Sequence, residues 1–178
     1  MITNFFLTGP LHIGKSTILR ETLNLLKPEV IGGFRTVPIF QNGQKSGFRL
    51  IAPGGNEKVF AHTDFATPEQ FSEFYYDKKI FDTFGVSILD NSLLGSQIIV
   101  MDEIGMMERE ARLFHDAIVR CLNSDVVVLG VFQERAQWFE ALLKDRTDTK
   151  IYRVSVQNRD TIKTLFYRDI NERFISPK

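Results

Sequence analysis

The sequence predicts an α/β fold, a mostly parallel sheet covered by helices on both faces. Three observations carry that prediction. After Gly95, short apolar runs alternate with segments of helical periodicity, the pattern of right-handed βαβ crossovers. At the start, the apolar run Asn4 to Thr8 ends in a glycine turn that leads straight into a helix. Between these regions Asn42-Gly43 separates two extended runs, a hairpin signal because both residues tolerate positive φ.

Taken in order, Asn4 to Thr8 reads as a buried strand. Lys15 through Leu26 is a helix, with Ile18, Leu19, Thr22, Leu25 and Leu26 at its spacing and Pro28 closing it. Gly33 to Phe40 and Gly47 to Ala52 form the hairpin at about 33–52, expected at an edge of the sheet as its one antiparallel element. A short strand follows near Lys58 to Ala61. The aromatic-rich segment at about 60–84 reads as a loop with one or two helices, one starting at Thr67-Pro68-Glu69. Its aromatics are expected mainly as core packing, with a base-stacking platform, a lid or a partner surface as alternatives. A further helix spans about Phe81 to Leu94. Beyond it come the strand Gln97 to Glu103, the helix Ala111 to Asn123 and the Val-rich strand Asp125 to Gln133. The helix Ala136 to Asp145, the strand Lys150 to Val156 and the amphipathic helix Asp160 to Phe174 complete the chain. Its 178 residues suit a single domain over 1–178 that buries roughly 70% of its unfolded surface.

Composition narrows the function classes. Lys+Arg and Asp+Glu both number 22, so no basic field favours a nucleic-acid partner. One cysteine, Cys121, excludes an internal disulfide framework and fits a reducing compartment. The longest apolar run, Val126 to Phe132, is far short of the ~20 residues of a membrane helix. With no signal-peptide pattern at the start, a cytoplasmic protein without membrane contact is expected.

Gly9-Pro10-Leu11-His12-Ile13-Gly14-Lys15-Ser16, followed by Thr17, fits the phosphate-loop pattern G-x-x-x-x-G-K-[ST] between a strand and a helix. The spacing has a chemical reason. Gly9 and Gly14 let the backbone wrap around one phosphate, and the helix start adds its positive dipole end. Lys15 would neutralise β/γ-phosphate oxygens, and the Ser16 hydroxyl would ligate Mg2+. His12 is read as pointing to solvent. The second motif is Ile98-Ile99-Val100-Met101-Asp102-Glu103, four apolar residues ending in two carboxylates. At the carboxyl edge of a parallel sheet, Asp102 would share the metal with Ser16, and Glu103 would orient or deprotonate an attacking water. Arg35, Arg135 and Arg159 are candidate charge-stabilising arginines that spacing alone does not separate. His62, His115 and Cys121 lack metal-ligand spacing.

These residues, together with Gly33-Phe34-x-Thr36, Gly47-Phe48, Asp102-Glu103-Ile104-Gly105-x-Met107-Glu108 and Asn158-Arg159, recur in a known order. The chain resembles the small P-loop nucleoside-triphosphatase family of the cancer-related type, whose members are often labelled predicted nucleotide kinases. The resemblance implies a three-layer, RecA-like α/β sandwich. It also implies Mg2+-dependent hydrolysis of ATP, GTP and other nucleoside triphosphates to the diphosphate. By position, Gly9 to Thr17 would bind phosphates, Asn158 and Arg159 would lie near the nucleotide, and Glu108 would be a nearby supporting acid. The chain departs from the family at His12, where Gly is usual, at Leu11 and Arg109, and at Met106, where Lys is usual. No Asn-Lys-x-Asp run reads guanine, in keeping with loose base choice. Two other readings stay open: a nucleotide or nucleoside kinase, and a nucleotide-dependent binding protein with slow hydrolysis. No protein partner is identified.

Overall fold

The computed structural model describes residues 1–175; positions 176–178, the end of the expected domain, lie outside the described residues. The elements are β1 (Asn4–Thr8), α1 (Lys15–Leu26), β2 (Ile31–Gln41), β3 (Gln44–Ile51), β4 (Glu57–His62), β5 (Glu69–Phe71) and β6 (Phe74–Tyr76). A π-helical turn (Phe81–Gly85) leads into α2 (Val86–Leu93), followed by β7 (Ile98–Ile104) and a 3-10 turn (Met107–Glu110). The chain continues with α3 (Arg112–Leu122), β8 (Val127–Phe132), α4 (Gln137–Leu143), β9 (Thr149–Arg153) and α5 (Arg159–Ile175).

One sheet runs through the molecule in the order β5-β6-β4-β3-β2-β7-β8-β1-β9. From β2 to β9 all neighbours are parallel. Successive residues of these apolar strands serve opposite faces, as strand geometry requires. Phe5, Leu7, Ile98 and Val100 join α1 and α5 in one core, with Phe166 and Ile170. Phe6, Ile99 and Met101 face α2, α3 and α4 in the other, with Leu89, Phe114 and Phe139. Phe6 meets Phe132 and Phe139 edge-on, with ring centroids 6.4 and 5.3 Å apart. Each such fully buried ring stabilises the fold by about 1.5–3 kcal/mol.

Two expectations are corrected. The hairpin is not at the edge: β2 pairs in parallel with β7 over Ile31–Arg35, and β3, β4, β6 and β5 extend the sheet antiparallel beyond it. Pro38 fits because it lies past the stretch of β2 that β7 pairs, so its missing N–H breaks no ladder there. Nor does a helix begin at Thr67-Pro68-Glu69. That segment enters β5, and Ser72 at φ 54° turns the chain into β6. Phe74 and Tyr76, two apart, are both buried, a strand period rather than a helical one. Half of the aromatics in that segment are core: Phe60, Phe74, Tyr76 and Phe81 are buried, with the Phe60 and Phe81 ring centroids 4.7 Å apart, while Phe65, Phe71, Tyr75 and Phe84 are half-buried.

Candidate active site

The site starts at the carboxyl end of β1. Val154 N–H donates to Thr8 O at 2.8 Å, so β9 and its extension run close along the chain here. Gly9 has φ 145°, and a Cβ on it would stand 2.3 Å from Val154 O, so only glycine can make this exit. Gly14 at φ 100° closes the loop immediately before α1, with no side chain capping the helix. The first amides of α1 are therefore left for an external anion. Between them His12 is exposed at φ 60°, a left-handed conformation that glycine takes more easily. Pro10 and Leu11 are exposed on the rim, Ile13 is half-buried, and Thr17 follows on the open side of α1.

Lys15 folds back beneath this loop. It is 6% exposed, and its Nζ donates to Gly9 O and Pro10 O, both at 2.9 Å. The same ammonium stands 3.8 Å from Glu103 Oε1. Ser16 Oγ donates to Asp102 Oδ1 at 2.7 Å, bringing the two proposed metal ligands together across 86 residues of chain. That separation is close to the spacing of adjacent oxygens around a small octahedral cation with bonds of about 2.0–2.1 Å. Both donors are hard oxygens, so the residues present fit Mg2+. Burial pushes the Asp102 carboxyl up, against the Ser16 hydrogen bond and the charges of Arg35 and Lys15.

Glu103 is placed by an irregularity in the sheet. Asp102 pairs with Val131 and Ile104 with Phe132, so Glu103 is an extra residue in the β7–β8 ladder, and its carbonyl accepts from Thr36 Oγ1 at 3.2 Å. The Asp102–Glu103 peptide is cis. Burial raises the Glu103 carboxyl; Lys15 pulls it down, and the neighbouring Asp102 pushes it up again. A cavity of about 230 Å³ is lined by Gly9, Leu11, Lys15, Glu103, Gln133 and Arg135.

Gln133 was not singled out by the sequence. It directly follows β8, the strand between β1 and β7, and its side chain helps to draw the Glu103 carboxyl down. Its Oε1 also accepts from Arg135 Nε at 2.9 Å, and the Arg135 guanidinium lies 4.7 Å from the Phe71 ring centroid. A polar residue ending an apolar strand is the signal that could have found it. Of the three candidate arginines, only Arg135 lines the cavity with Lys15 and Glu103. Arg35 stands beside Asp102, and the Arg159 side chain lies by Gly14. Asn158 is engaged within its own loop: Oδ1 accepts from Ser155 N at 2.7 Å and Nδ2 donates to Arg153 O at 3.0 Å.

Glu108 is 3% exposed, and its Oε2 accepts from Gly105 N at 3.0 Å, closing the loop after β7. Trp138 Nε1 donates to Gly105 O at 2.8 Å and secures the same loop from α4. Burial raises the Glu108 carboxyl to about 7. A raised carboxyl is neutral in the fold while the unfolded chain is already ionised, so it subtracts stability as pH rises from about 4.5 to about 7. Over that window the penalty grows to about 3 kcal/mol, at 1.36 kcal/mol per pKa unit. Glu108→Gln keeps an acceptor for Gly105 and removes the titration. Urea unfolding from pH 4.5 to 8 should show the variant gaining on the wild type by about that amount; parallel curves would show that Glu108 is ionised at no cost.

A parallel sheet whose first strand enters a glycine loop and helix, with an acidic strand one strand removed, defines a P-loop nucleotide-binding protein of the RecA-like arrangement. The chain belongs to the NTPase family, whose model matches residues 4–166. It is 31% identical over 175 residues to nucleoside-triphosphatase THEP1 of Natranaerobius thermophilus, covering 96% of this chain and 98% of that one. To the human cancer-related nucleoside-triphosphatase it is 27% identical over 175 residues, covering 90% and 92%. The solution structure of a human cancer-related nucleoside triphosphatase superimposes with a TM-score of 0.79 at 25% identity, over 98% of this chain and 99% of that one. The crystal structure of THEP1 from Aquifex aeolicus, at 21% identity, shares the fold with a TM-score of 0.78 over 97% and 99%.

Proposed function

We propose that the protein hydrolyses nucleoside triphosphates, ATP and GTP among them, to the diphosphate and phosphate with Mg2+. The observation that carries this reading is one cluster: Ser16 Oγ and Asp102 Oδ1 at 2.7 Å, with Glu103 Oε1 3.8 Å from Lys15 Nζ, all at the mouth of the glycine loop. Ser16 and Asp102 would hold the metal, which when bound neutralises charge on the β- and γ-phosphate oxygens. The loop amides and Lys15 bind the triphosphate. Water held by Glu103 attacks the γ-phosphorus, the bond to the β–γ bridging oxygen breaks, and Glu103 takes the water proton. Gln133 fixes the Glu103 carboxylate, and Arg135, steadied by Phe71 and Gln133, supplies a second cation to the γ-phosphate. The roles of Asn158 and Arg159 are those of loop support and a cation beside Gly14.

The whole chain acts as one domain in this reading, in the cytoplasm, with a small-molecule substrate and neither nucleic acid nor membrane as partner. Among the described residues no helix is long and apolar enough to cross a membrane. Phosphate release from ATP by the purified protein, without any acceptor and abolished by a chelator, is the test. Arg135→Ala should lower kcat by about 10- to 100-fold, the loss of a charge-assisted contact made to the γ-phosphate. Turnover appearing only with an added nucleoside would replace water by a hydroxyl acceptor, for which the cavity of about 190 Å³ beyond Glu103 has room.

A further inference from the structure

A third cavity, of about 370 Å³, opens beside the Ser16–Asp102 pair between α1 and the β2–β3 hairpin. Its walls are apolar, formed by Leu19, Leu23, Ile31, Ile51 and Val100. Ser16 and Asp102 line it but Lys15 and Glu103 do not, so it adjoins the proposed metal ligands on the side away from Glu103.

Two arginines share this cavity, and simple geometry puts them there. Arg20 is four residues after Ser16 on α1, and therefore on the same helix face. Arg35 is the parallel-ladder partner of Asp102, and therefore on the same face of the sheet. Across the described residues neither guanidinium has a hydrogen bond or a salt bridge, although both act on the Asp102 carboxyl through their charge. Asp102 is the only carboxylate in the lining, and it already accepts from Ser16. Elsewhere Arg49, Arg120, Arg146, Arg153 and Arg168 each hold a carboxylate. Arg20 and Arg35 are thus two cations that no carboxylate holds by a hydrogen bond or salt bridge, at the rim of a hollow of ligand size.

We propose that this cavity is a second ligand site for a small phosphate monoester, its apolar or aromatic body seated on Leu23, Ile31 and Ile51 and its dianion held by Arg20 and Arg35. A phosphate dianion matches the charge and donors of two guanidinium forks better than a single carboxylate does. The volume admits a body of one or two rings. Apolar contact supplies affinity, and the arginines set the requirement for charge.

The test is calorimetric titration of 2-naphthyl phosphate into protein saturated with Mg2+ and a non-hydrolysable ATP analogue, so that the phosphate loop is filled. One probe per chain is expected. Arg20→Gln and Arg35→Gln should each weaken it about tenfold or more, the loss of at least one charge-assisted contact. Uncharged 2-naphthol and singly charged 2-naphthoate should bind at least about tenfold more weakly, on the same reasoning. Leu23→Trp, which fills the apolar wall, should remove the site. The titration repeated on Lys15→Ala, whose loop is disabled, should still show the probe bound, which separates this site from the triphosphate site. The proposal is overturned if the probe gives no heat, if the ATP analogue displaces it, if both Gln variants bind like the wild type, or if the neutral or singly charged probe binds as tightly.

Discussion

Lys15→Ala is expected to lose triphosphate binding and turnover together, with kcat/KM lower by about a thousandfold or more. Removing a single neutral donor from a preorganised anion site already costs about 10²–10³, and here the donor is charged and buried. At 6% exposure, the ammonium is held by Gly9 O and Pro10 O at 2.9 Å inside the neck of the glycine loop. Without it those carbonyls face the anion with no cation between them, and Glu103, 3.8 Å away in the native chain, becomes an unopposed negative neighbour. Lys15→Arg should rescue little, because a planar fork does not replace a compact ammonium in so narrow a place. Equilibrium titration with a fluorescent triphosphate, followed by a phosphate-release assay, reads both effects. Native affinity in the alanine variant would remove the loop from the account altogether.

How much of this was legible in the sequence follows from what each feature depends on. Gly9 to Thr17 could be read because phosphate chemistry fixes those residues relative to one another along the chain. Asp102 and Glu103 could be singled out because four apolar residues ending in acids place them at the carboxyl edge of a parallel sheet that also carries the glycine loop, and Asp102 does meet Ser16 at 2.7 Å. The β5–β6 hairpin could not. Its strands have three residues each, too few for a period of two to stand out among so many aromatics, and the pairing of β6 with β4 is tertiary. Gln133 was missed, and Arg135 was left as one of three candidates, for another reason. They approach Glu103 only because β8 lies between β1 and β7, and strand order is a property of the folded sheet. For the same reason no spacing could separate Arg135 from Arg35 and Arg159. Asn158 shows the converse: the family resemblance points to it as a residue near the nucleotide, whereas both ends of its amide are engaged within its own loop.

Glu103→Gln should separate what Lys15→Ala joins. The substitution preserves shape and leaves the backbone pairing untouched, so the bulge in β7 and the cavity beside it persist. What disappears is the capacity to take a proton, and kcat should fall by about 10²–10⁴, the usual worth of a positioned general base. Triphosphate affinity should hold or tighten, because a negative charge near the γ-phosphate has been removed while Lys15 and the loop amides remain. The two variants therefore move in different parameters, affinity for one and the chemical step for the other, and single-turnover kinetics on pre-bound triphosphate resolves them. An unchanged single-turnover rate would mean that water is activated without this carboxylate. Arg135 and Gln133 would then hold a group that merely balances Lys15, and the Phe71 contact would lose its catalytic purpose along with it. A slow rate with retained binding instead ties the extra residue in the β7–β8 ladder to the reaction, since a regular strand would turn that side chain away from the loop.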